Sequence, residues 1–379
     1  MNIILILFSF LPVLDKSYPM ASEFDELLKK ISLPDGFKID VYASGVENAR
    51  SMTISPSGTV FVGNRKADNV FALIDSDKDG KVDKKYLITD KLTNMPNGVV
   101  FHNGNLYVAE VNKIWLFEDV EKNLQKIDAV GYYPEEPILI SDKFPSDKHH
   151  GWKYISIGPD NKLYVPVGAP CNICESKDEI YSTITRMDLD GKNQEIYARG
   201  VRNTVGFTWH PETGEMWFTD NGRDMLGDNY PPCELNRVQV PNKHYGYPYC
   251  HGGDISDPEF GSKYPCDNFV KPVQNLGPHV APLGLKFYDG NMFPDEYKGD
   301  IFIAEHGSWN RTKKIGYRIS RVKIENNKSL GYEPFIYGWL DKDKNDAWGR
   351  PVDIVFLEDG SMLISDDYAN VIYRVTYVG

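Results

Sequence analysis

The chain has 379 residues, with 54 acidic and 42 basic side chains and a formal net charge of −12. That balance argues against nucleic acid and against anionic membrane surfaces as partners. With 41% hydrophobic and 13% aromatic residues there is enough apolar surface for a sizeable core, and the length suits one domain.

The chain opens with MNIILILFSFLPVLDKSYPMAS, in which Ile3 to Leu14 is an apolar run of signal-peptide length. It is too short to span a bilayer, and no other stretch is long or apolar enough for an integral membrane span. Residues 1–19 are read as an export leader, although no Lys or Arg precedes the run, and Met20 is an alternative start. The expectation is a periplasmic or extracellular protein whose single domain covers residues 20–379. The segment SEFDELLKKIS, residues 22–32, reads as one short amphipathic helix. Everything after it reads β.

Six times a strand, a small-residue turn and a second strand follow one another. The copies are ISPSGTVFVGN from Ile54, FHNGNLYVAEV from Phe101, IGPDNKLYVPVG from Ile157, WHPETGEMWFTDNG from Trp209, YKGDIFIAEHGS from Tyr297 and FLEDGSMLISDD from Phe356. Each is a hairpin signal. Spacing of this order marks radially repeated sheets. The expected fold is all-β, a six-bladed β-propeller with four-stranded antiparallel blades, and function is expected in the central channel.

Candidate sites follow in chain order. Asp75, Asp77, Asp79 and Asp83, with Gly80 for the turn, resemble a calcium loop. Position 12 is Tyr86 instead of Glu, so a solvated acidic turn on the outer part of a blade is the competing reading. His149 and His150 precede a strand on the channel face, where an imidazole is a candidate general base. Of the five cysteines, an exported protein would pair Cys171 with Cys174 and Cys250 with Cys266, leaving Cys233 free. The sequence alone does not prove that connectivity.

Arg202 and Asn203 offer a planar fork and a mixed donor–acceptor. In Asp220-Asn221-Gly222-Arg223-Asp224 the glycine lets backbone carbonyls turn inward as hard-cation ligands. Glu305 to Arg311 and Gly349 to Asp353 complete the set. Residues 229–277, rich in Pro, Tyr and Gly, read as an insert over the channel mouth. Cations recurring at equivalent corners would converge in a ring, which suits a small polyanionic ligand.

These pieces, with His244-Tyr245-Gly246-Tyr247-Pro248-Tyr249-Cys250 and Ala281 to Tyr288, resemble the soluble pyrroloquinoline quinone (PQQ)-dependent sugar dehydrogenases. This is the glucose/sorbosone dehydrogenase family, and the sorbosone-like branch is the nearer. The resemblance runs from about Leu33 to the C-terminus. It implies a quinoprotein oxidoreductase acting on an aldose or sugar aldehyde by hydride transfer to PQQ, with Ca²⁺ polarising the quinone. His150 would be the base, Arg202 and Asn203 would contact PQQ and its reacting carbonyl, and Arg350 would bind a PQQ carboxylate. The carbonyls of Gly222 and Arg223 would hold the calcium. An external quinone or cytochrome would take the electrons, and the protein would be a monomer or homodimer.

Three departures from the glucose-oxidising members stand out. Ala169 replaces an Asp that supports the His, leaving Glu175 or Asp147 as substitutes. A cofactor-binding Lys is missing, for which His306 or Arg311 would stand in, and Val352 replaces a second arginine. The rival readings are a calcium-dependent propeller hydrolase of the sugar-lactonase type and a non-catalytic glycan- or protein-binding propeller.

Overall fold

The computed structural model describes residues 21–379, so the expected leader lies outside the described residues. Six sheets form a six-bladed propeller. Their innermost strands are Ala49–Ile54, Gly98–His102, Ser156–Ile157, Phe207–Trp209, Pro282–Phe287 and Pro351–Phe356. Around the ring the first of them meets the second and the sixth, the second meets the third, and the fourth, fifth and sixth meet in turn. Every one pairs antiparallel with the next strand in sequence. The six repeats are these hairpins. Each turn needs a residue with positive φ: Gly58, Gly104, Asn161, Gly214, Gly299 and Gly360 take that conformation. Glycine and asparagine adopt it at least cost, which explains the recurring turn composition.

Apolar side chains fill the gaps between blades. Phe61 and Val70 of the first blade pack with Val99 and Leu106 of the second. Tyr154 and Tyr164 of the third pack with Phe207 and Phe218 of the fourth. Close to the channel, Val205, Leu283 and Val352 meet.

The ring is closed by the chain's own ends. Phe37–Ser44 forms the outer strand of the sixth blade and pairs antiparallel with Val371–Tyr377. The repeat pattern does not contain this link. Both strands are ordinary half-buried β segments, and only their meeting closes the ring.

The early helix is Ala21–Leu28, shorter than read from sequence. A second helix, Val120–Val130, interrupts the region that was expected to be wholly β. Leu124 and Ile127 are buried on it, three residues apart on one face, and Gly131 ends it in the left-handed region. The segment 229–277, expected as an insert over the channel mouth, contains blade strands. Pro232–Val238 and Gln274–Pro278 are the outer two strands of the fourth blade. Lys243–His244 adds a parallel fifth strand to the third blade.

Candidate functional site

The loops between the blades' inner strands converge on a cavity of about 290 Å³. That is near the lower end of ligand-cavity volumes, roughly 300–1,000 Å³. His150, Arg202, Asn203, Gly222, His306 and Arg350 all line it, so the structure brings these sequence candidates together.

His150 sits in the left-handed region at φ 50° and is 9% exposed. Its Nδ1 lies 2.9 Å from the Ala169 carbonyl oxygen. A carbonyl only accepts, so Nδ1 carries the proton and Nε2 keeps its lone pair. Burial, then the Arg202 charge and His149, push its pKa down to about 2. The ring is therefore neutral at pH 7. Gly168 makes the fit possible, because a Cβ there would lie 2.6 Å from the His150 Cβ and 2.8 Å from its carbonyl oxygen. Neither substitute foreseen for the missing Asp serves the ring. Asp147 accepts from the Tyr181 hydroxyl, and Glu175 pairs with Lys263 and Tyr249. The Ala169 backbone does that work.

Arg202 and Asn203 are held through their backbone. The buried Asp220 carboxylate accepts from the Arg202 N–H at 2.8 Å and the Asn203 N–H at 2.6 Å. Burial raises the Asp220 pKa to about 6, against the pull of these N–H donors. The Arg202 guanidinium is also paired, with Asp224 at 3.1 Å. It donates to the Asn221 carbonyl at 3.1 Å.

Arg50 is fully buried, with Asn97 at 2.6 Å and Asp367 at 2.6 Å. Asp367 also accepts from His306 Nε2 at 2.8 Å. Burial pushes His306 down to about 4, despite Asp367, so it too is neutral at pH 7. Burial opposes ionisation of Asp367, but His306 and Arg50 hold its carboxyl well below the usual range.

Two cations are left over. Arg65 stacks on the Trp152 ring, with Cζ 3.7 Å from the centroid. Among the described residues it has no carboxylate partner. Burial, then the Arg50 charge and, with Asp367 opposing, that of Arg350, lower its pKa to about 10. Among the described residues Arg350 donates only to the carbonyls of His306 and Gly307, at 3.0 and 3.1 Å. Arg65 was missed in the sequence because its corner lacks the motif found elsewhere. It follows the second strand of its hairpin, Val60–Asn64, as His306 follows Ile301–Glu305.

Other candidates fall elsewhere. Arg311 donates to the Asp228 and Lys313 carbonyls and does not line the cavity. The Arg223 side chain turns to Asp257 at 2.6 Å and Glu259 at 2.9 Å. Arg223 does not line the cavity, whereas Gly222 does. No donor among the described residues reaches the Gly222 or Arg223 carbonyl oxygen. Asp75, Asp77 and Asp83 converge within 4.8 Å between the outer strands of the first blade, and Asp79 stands outside that group. Both disulfides expected from sequence are present, and Cys233 is free and buried.

A profile described as TrAA12-like matches residues 31–378. An uncharacterized protein of Borreliella burgdorferi is 37% identical over 93% of this chain and 92% of its own length. The pyrroloquinoline quinone-dependent pyranose dehydrogenase of Coprinopsis cinerea is 23% identical over 91% of this chain, which spans about half (54%) of that enzyme. Among solved structures, the calcium structure of the Trichoderma reesei carbohydrate-active enzyme of family AA12 superposes with a TM-score of 0.79. It is 19% identical and covers 92% of this chain and 97% of its own, which speaks for the fold.

Proposed function

This chain belongs to the TrAA12-like family, and from that premise we propose that it is a quinoprotein oxidoreductase that oxidises a sugar with PQQ and calcium. The observation that carries the reading is the imbalance of charge in the cavity. Two guanidiniums there, Arg65 and Arg350, have no carboxylate partner among the described residues, in a chain of net charge −12. Both are half-buried, and an unpaired cation partly withdrawn from water is costly unless a ligand compensates it. A flat tricarboxylate does so, and the Trp152 face with its stacked Arg65 suits an aromatic plane.

The donor set fits the group. Arg65 and Arg350 would take PQQ carboxylates, and Asn203 would hold its polar edge. The unengaged Gly222 and Arg223 carbonyls are oxygen donors of the kind Ca²⁺ prefers. When bound, PQQ supplies a two-electron quinone acceptor and calcium a Lewis acid. The chain does the rest. His150 Nε2 takes the proton of the sugar hydroxyl, and its Nδ1–H, tied to Ala169, fixes the ring plane. Arg202, held at four donor contacts, presents fixed positive charge where negative charge develops.

The substrate is an aldose or sugar aldehyde, with sorbosone-like aldehydes as the finer proposal, and an external quinone or cytochrome receives the electrons. The two disulfides support an oxidising compartment. A lactonase-type site would gather free carboxylates about a channel metal. Here Asp220, Asp224 and Asp367 are engaged by protein donors.

The test is titration of the apoprotein with PQQ plus Ca²⁺, followed by the cofactor spectrum and by dye reduction with aldoses and sugar aldehydes. Saturable binding with sugar-dependent dye reduction is expected. No binding at micromolar PQQ would overturn the reading.

A further inference from the structure

The segment between Gly168 and Glu175 touches both reacting groups. Ala169 accepts from His150 Nδ1, and its own N–H donates to the Arg202 carbonyl at 2.8 Å. Three residues on, Asn172 grips the Arg202 side chain. Its main-chain oxygen accepts from Nε at 2.9 Å and its side-chain oxygen from Nη2 at 2.9 Å. Asn172 is also braced against Asp224, the guanidinium's ion-pair partner. It accepts from the Asp224 N–H at 2.8 Å and donates to the Asp224 carbonyl at 3.1 Å.

Two oxygens of one residue therefore meet one edge of the planar fork. That requires the main chain and side chain of Asn172 to be fixed relative to each other. The Cys171–Cys174 disulfide encloses Asn172 in a short covalent ring. The Tyr247 hydroxyl, which accepts from the Cys174 N–H at 3.1 Å, steadies that ring from outside.

We propose that Asn172, held in the Cys171–Cys174 ring, is the positioning residue for Arg202, and that opening this disulfide disarms the site without unfolding the propeller. The inference rests on Arg202 acting in the reaction proposed above. The ring is reachable, because both its cysteines are partly exposed and Cys174 lines a surface groove; of the other bridge, Cys250 is buried and Cys266 partly exposed. A small dithiol would reduce it by exchange. The Sγ–Sγ bond breaks, two cysteine thiols form, and the dithiol is oxidised to its own disulfide.

The test uses the full chain as wild type, Asn172→Ala, the double variant Cys171→Ser/Cys174→Ser, and Glu175→Gln as a neighbouring control on an exposed ion pair. With PQQ and Ca²⁺ bound, Asn172→Ala and the double variant are expected to lose about 10²-fold in kcat, the scale of a near-1 Å misplacement. KM and thermal midpoint should stay near those of Glu175→Gln. Wild type treated with dithiothreitol should match the double variant. Independently of activity, the Arg202 Nε–H in ¹⁵N-arginine-labelled apoprotein should exchange slowly with solvent in wild type and fast once the ring is open or Asn172 is removed. Unchanged exchange, or a kcat loss that merely follows a fall in thermal midpoint, would overturn the proposal. Should wild type oxidise no sugar, the enzymatic reading fails, and the exchange experiment still decides whether Asn172 holds Arg202.

Discussion

A general base must hold its lone pair at the working pH, and at His150 burial and the nearby Arg202 secure it. Protonating that ring costs more than in water, so its pKa falls, and as the proposed base it would stay competent as pH drops. The kcat/KM profile should therefore show no acid limb at the ordinary imidazole value of about 6.5. A limb there would mean that the essential base is another, more exposed group. His150→Gln should lower kcat by about 10²–10⁴-fold, the range for loss of a general base. For the cavity cations, Arg65→Gln and Arg350→Gln should each weaken PQQ binding by about 10-fold or more, since each removes a charge-assisted contact. A fluorescence titration checks this, and undiminished affinity in both would separate the unpaired charge from the cofactor. His150 and Arg350 were legible as residue types at strand entrances. Arg65 was not, because nothing local distinguishes an arginine that will lack a partner from one that will find one.

Hairpins are local objects, and so their turns could be read from the chain. A turn needing positive φ selects Gly or Asn within a few residues, whatever the rest of the protein does. Helix Val120–Val130 is not legible in the sequence, because its apolar positions are few and the segments around it carry strand patterning. The connecting loops carry the site, and their tightness is testable. Gly168→Ala forces a Cβ against the His150 main chain, so the loop must shift. kcat should fall by about 10²-fold for a displacement near 1 Å, with PQQ affinity less affected. In the acidic loop of the first blade, Ser76 and Gly80 N–H groups already cap Asp83 and Asp75. If that loop takes calcium, chelation should lower the thermal midpoint of wild type, and less so that of Asp77→Asn. Equal midpoints with and without chelator would leave it an acidic turn.

At the scale of the whole molecule, stability depends on closing a ring. The strand Phe37–Ser44 pairs with Val371–Tyr377 across more than 300 residues, and Arg50 meets Asp367 over a separation of 317. The same closure that completes the sixth blade also sets the corner of the cavity, because Asp367 links Arg50 to His306. Truncation after Asn370 would leave the first strand unpaired and the sixth blade with two strands. Calorimetry should then show a broadened, lower transition in place of a single cooperative one. A sharp transition at the wild-type midpoint would show that the blades hold without the clasp.

The amino-acid order was enough for the number of blades, the antiparallel hairpins and the polar corners, since each follows from patterns that are local in the chain. It also indicated the near-neighbour cysteine pairs. Other features required the folded ring. These are the clasp of the two ends, the use of residues 229–277 as blade wall, the tautomer of His150 and the division of arginines into paired and unpaired. Each of them depends on which distant side chain or carbonyl arrives beside a group, and distance along the chain carries no record of that meeting.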